Sequence, residues 1–126
     1  MYSEETERFL KFLREVKEDY HIAVSSEKEA DAQTQDLLHT VELGKNSYHD
    51  MAKIAKLIKD VRQNRRKAKD TKIKCECIVS WTEENGKVIK SFERLPGEVR
   101  KTGKSLENRS YFPKTDIVES CFEKDK

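Results

Sequence analysis

Apolar residues recur along the first third of the chain at alternating steps of three and four. From Tyr2 the steps land on Thr6, Phe9, Leu13, Val16, Tyr20, Ala23, Glu27, Ala30, Thr34, Leu37 and Val41. Glu27 is the one charged residue among them. A seven-residue repeat held this long describes a helix whose apolar seam faces another long helix. Leu10, Ile22 and Leu38 widen the stripe. Between Ala23 and Thr34 it thins, which reads as a waist or as a break between two helices. Ser3, with acids in the first turn, marks the start, and Gly44 the end in the manner of a C-cap.

A second run of the same period begins after Ser47-Tyr48-His49-Asp50, a serine followed three residues later by an acid, as in a capping box. Its positions are Met51, Ile54, Ile58, Val61, Arg65, Ala68, Lys72, Cys75 and Val79. The stripe is strong to Val61 and poor from Arg65 to Lys72. No Gly or Pro occurs between Lys45 and Asn85, so a helix of about 60 Å is allowed at 1.5 Å per residue. Two such helices joined by Gly44–Asn46 fold back antiparallel.

The stretch 73–92 supports two readings. Ile73, Cys75, Cys77, Val79 and Trp81 alternate with other residues, and Asn85-Gly86 follows, which is the pattern of a β-hairpin. In the context of its neighbours the same stretch is the end of one helix, a turn at Gly86 and a third helix. That helix carries a stripe of Val88, Phe92, Leu95, Val99, Thr102 and Leu106. Pro96, Gly97 and Gly103 weaken it and predict a kink or break near Leu95. The expected fold is all-α: helices at about 3–43, 47–84 and 87–109 in a single domain over 1–110, then an irregular tail over 111–126. The alternative is α+β with a hairpin at 73–92.

Composition sharpens this picture. Hydrophobic residues make up 35% and charged residues 40%. Such a chain is either disordered or built of long helices that bury a narrow stripe, and the heptads select the helices. A narrow stripe interrupted at Glu27, Arg65 and Lys72 buries little apolar area, which predicts a homodimer. Residues 1–50 hold twelve acids and six bases, and residues 51–126 twelve acids and twenty bases. The two halves can therefore pair with each other or present surfaces of opposite sign. No run of 18 apolar residues occurs, so no membrane association is expected. The acidic start lacks the features of a signal peptide. Three cysteines, Cys75, Cys77 and Cys121, form no disulfide framework and predict reduced thiols in a cytoplasm.

Candidate chemistry is sparse. Arg62, Arg65, Arg66, Lys67, Lys69, Lys72 and Lys74 form a basic stretch that could neutralise phosphates, but no specific nucleic-acid motif accompanies it. Its simpler reading is a solvated face, or a face paired with the acidic first helix. Cys75-x-Cys77 with Cys121 and a histidine (His21, His39 or His49) has the wrong spacing for a structural zinc site on a helix, whereas on the hairpin reading the two cysteines would share a face; no metal and no cofactor are expected. No nucleophile, metalloprotease, phosphate-loop or dinucleotide motif occurs, so catalysis is not expected. Trp81, Arg109 and Tyr111 are the residue types that dominate protein interfaces.

Arg65-Arg66-Lys67-Ala68-Lys69-Asp70, Ile78-Val79-Ser80-Trp81 and the end from Val99-Arg100-Lys101 to Tyr111-Phe112-Pro113-Lys114 together resemble small helical proteins encoded in phage and prophage regions of Firmicutes. The resemblance covers about residues 35–115. It implies a host-takeover role, such as inhibition of a defence nuclease in the way of an anti-CRISPR protein. Pro96, Gly97 and Gly103 depart from the unbroken third helix of those proteins. The expectation is a non-catalytic protein that binds another protein, with nucleic-acid binding through 62–74, or a structural coiled-coil oligomer, as the alternatives.

Overall fold

A computed structural model describes residues 2–117. It is all-α: α1 spans Tyr2–Leu43, α2 Tyr48–Glu84 and α3 Gly86–Glu107. No strand occurs among the described residues. The hairpin reading of 73–92 is therefore replaced by helix, and the alternation that suggested it is the seam of α2 continuing through Cys75, Val79 and Thr82.

The turn between α1 and α2 is fastened from both sides. The carbonyl of Thr40 accepts the backbone N–H of Gly44 at 3.0 Å and the Asn46 side-chain amide at 2.9 Å. Gly44 does not adopt the left-handed conformation of a usual glycine cap. Its necessity is steric: a Cβ there would lie 2.6 Å from the Thr40 carbonyl oxygen. On the other side Ser47 Oγ accepts the N–H of Asp50, and the Asp50 carboxylate accepts the N–H of Ser47. This reciprocal box satisfies two helix N–H groups that would otherwise lack partners. At the far end of α1, Ser3 is not a cap. The helix is already under way at Tyr2, and the Ser3 carbonyl accepts the Thr6 hydroxyl.

α1 runs unbroken through its thin middle. Leu10, Leu13, Val16, Ala23 and Ala30 are its buried residues, and Ile54 and Ala68 are those of α2. The waist is the most deeply covered part, with Ala23 and Ala30 each 4% exposed. Their single-carbon side chains, facing Ala68, let the two backbones approach closely.

α3 does not turn back. Its partners on α1 fall in number as α3 advances: Phe92 meets Phe9, Arg100 pairs with Glu7, and Leu106 shares a groove with Tyr2. α3 thus runs antiparallel to α1, in the sense of α2, and scarcely touches α2. The Asn85 N–H donates to the Trp81 carbonyl and the Ile89 N–H to the Asn85 carbonyl, both at 3.0 Å. Asn85, at φ −110° and ψ 30°, interrupts the helix for one residue without reversing the chain, and Gly86 meets no crowding.

Pro96 lies inside α3 without breaking it. Its ring is the buried residue of that helix and shares a crevice with Leu10 and Glu7 of α1. The side facing α1 is Ile89, Phe92, Pro96, Val99 and Gly103, rotated from the expected stripe. Val88 and Leu106 stay 61% and 55% exposed.

Candidate functional site: the ionic waist and its two faces

The three charged seam residues that the heptad reads as defects form one cluster. Arg65 Nε donates to Asp31 Oδ1 at 2.6 Å, and its terminal nitrogen reaches Glu27 Oε1 at 3.4 Å. Lys72 Nζ lies 2.9 Å from the other Glu27 oxygen. Arg62 adds a looser contact to Asp31 at 3.9 Å. Glu27 and Lys72 are held by a heptad seam, and Arg65 bridges two turns of α1, a geometry suited to its forked guanidinium. The Lys72 hydrogen bond, helped by the charges of Lys72 and Arg65, holds the Glu27 carboxyl below its ordinary pKa. The same hydrogen bond raises Lys72 above the ordinary lysine value.

This cluster faces one side of the hairpin. The opposite side carries a shallow groove of about 500 Å³ floored by Ala23, Ala30 and Ala68 and flanked by Ile22, Glu29 and Lys67. Through Gln33 it continues into a second depression beside Leu57. Both are open trenches.

The sequence-derived candidates separate in space. Arg62 and Arg65 are taken up by ion pairs with α1. Arg66, Lys67 and Lys69 are exposed, Lys67 on the rim of the groove. Trp81 is 45% exposed and lies 12 residues beyond Lys69, about 18 Å along the helix. Arg109 and Tyr111 follow the end of α3 and are exposed. The structure therefore makes no single site of them. Cys75 is half-buried on the seam and Cys77 exposed; two residues apart on a helix, they point to different faces. Cys121 lies outside the described residues. Among the described residues no group of three His, Cys, Asp or Glu side chains is placed to hold a metal. No helix among them is long and apolar enough to cross a membrane.

Sequence reasoning missed that Glu27, Arg65 and Lys72 are partners. The signal was present: Glu27 lies 17 residues before Gly44 and Arg65 lies 18 after Ser47. Counting outward from the turn sets them at one height. No family model, curated protein or solved structure matches the chain.

Proposed function

We propose that the chain is a non-catalytic binding protein whose partner is another protein. The observation that supports this most is the capture of Arg62, Arg65 and Lys72 by Glu27 and Asp31. Three of the seven bases of the stretch are neutralised within the chain by the acidic first helix. Phosphate recognition would need those charges free, whereas a protein partner does not. The exposed apolar side of α3 (Val88, Leu95 and Leu106, with Tyr2 of α1 nearby) offers the contact area instead. The resemblance to phage-encoded helical proteins narrows the partner to a host or defence protein, such as a CRISPR nuclease, met in the cytoplasm.

Arg66, Lys67 and Lys69 are the exposed remainder of the basic stretch, and they carry the nucleic-acid alternative. A gel-shift titration at 150 mM salt separates the readings. The chain should shift random duplex or single-stranded nucleic acid only weakly. Tight binding that falls steeply with salt and is lost on Arg66, Lys67 and Lys69→Ala would replace the protein partner with nucleic acid. The narrower reading predicts that a purified CRISPR nuclease of a Firmicutes host loses DNA cleavage when mixed with the chain.

A further inference from the structure

The two sides of the α1–α2 hairpin are unlike. One is closed by the ion pairs of Glu27, Asp31, Arg62, Arg65 and Lys72. The other is an uncovered trench with an alanine floor, polar walls of Ser26, Gln33, Asn64 and Thr71, and isolated large apolar side chains. Ile22 and Leu57 flank its trench at 62% and 50% exposure. Phe12 lies one heptad before Asp19 of the rim, and Trp81 two heptads after Lys67, so both extend the same side. We propose that this face is the dimer interface of the protein, occupied by the same face of a second copy to make a four-helix bundle.

Two observations commit the face to a second copy. The first is area. The chain exposes 10921 Å², against about 7,000 Å² for a compact monomer of its mass. From Phe12 to Leu37 the face runs about 38 Å and is two helices, about 20 Å, wide. That is roughly 750 Å² per copy and about 1,500 Å² for a pair, the size of a stable interface.

The second is charge. The α1 rim contributes Asp19, Glu29 and Asp36, and the α2 rim Lys67. None of these four forms an ion pair among the described residues. Lys53 and Lys74 share the heptad position of Lys67, with Asp60 the one acid there. When α1 of one copy lies on α2 of the other, Glu29 and Asp19 fall near Lys67 and Lys74, and Asp36 near Asp60 is the one like-charge pair. A two-fold axis along the hairpin achieves this and sets both turns at the same end. An axis across the hairpin would stack acidic α1 on acidic α1. Glu29 and Lys67 flank one trench at one height, so the lengthwise axis brings Glu29 of one copy to Lys67 of its partner.

The inference does not depend on the protein partner proposed above. It is tested by sedimentation equilibrium of the full chain under reductant, with far-UV circular dichroism to confirm that each variant remains helical. The wild type should weigh twice its 14.8 kDa at micromolar concentration. Trp81 emission should shift to shorter wavelength as the dimer forms. Glu29→Lys and Lys67→Glu should each raise the dimer Kd at least tenfold, and the two together should restore it, because an isologous interface swaps both charges. Ile22→Asp should give a helical monomer. A wild-type monomer at every concentration overturns the proposal. So does a dimer that survives Ile22→Asp but is lost on Leu106→Asp, which would move the interface to α3.

Discussion

α1 meets two partners, and they follow different rules. Against α2 its heptad is kept for some thirty residues, and every charged seam position has a counterpart across the interface. Against α3 the contact is a narrow strip, Ile89, Phe92, Pro96, Val99 and Gly103, marked by the edge-to-face pair of Phe9 on Phe92 with centroids 5.2 Å apart and an exposed ion pair from Arg100 to Glu7. α3 has the wider apolar stripe, yet half of it faces solvent. A heptad reports burial faithfully where two long helices lie side by side. Where a short helix meets the end of another, the contact covers only part of the stripe.

Core truncation should weaken the α1–α2 contact far more than the α1–α3 contact. Leu13→Ala, at a position 6% exposed, should cost about 2–5 kcal/mol in urea unfolding. Phe92→Ala should cost less, about 1–2 kcal/mol, because the ring leaves a half-open site that solvent can refill. Equal losses would mean that α3 is held as firmly as α2.

The ionic waist is distinguished by its pH dependence. The lowered pKa of Glu27 means that its contribution is present above the ordinary carboxylate range and is lost as pH falls through the folded value. The raised pKa of Lys72 means that its contribution is present below the ordinary lysine range and is lost as pH rises through the folded value. The cluster is therefore at full strength between these limits. Glu27→Gln should lower the melting temperature at pH 7, and its gap to the wild type should close as pH falls to 3. A gap that is constant with pH would show that Glu27 acts through packing alone.

Smaller effects sharpen the contrast. Ser47→Ala removes one half of the capping box and should cost about 1 kcal/mol. Val88→Ser, on the outer side of α3, should change stability by less than about 0.5 kcal/mol; a larger loss would show that this side is covered in solution.

The long seam and the capping box were legible because both are local: one is a periodicity, the other a spacing of three. The pairing of Glu27 with Arg65 and Lys72 was not, because it depends on the register between helices, which only the turn sets. The same gap explains α3. Leu95 was expected to face inward and Pro96 to break the helix. Which residues of α3 touch α1 is decided by the angle at Asn85, and backbone hydrogen bonds continuing on both sides of that residue leave α3 running onward. Leu95 then turns outward and Pro96 takes its place. Pro96 costs the ladder one bond, but its ring is the buried residue of α3 and lines the crevice it shares with Leu10.

Because a single tight turn at Gly44–Ser47 joins the two arms, every contact between them is nested inside the next. Closing Ile54 onto α1 spans a short loop. Closing Leu106 near Tyr2 spans nearly the whole chain. Each closure becomes inexpensive only once the one inside it exists, since the entropy of loop closure grows with the open length. The molecule should therefore zip from the turn outward and fray from the open end inward. Amide hydrogens of α3 and of the first turns of α1 should exchange first, those around Ala30 and Ala68 last.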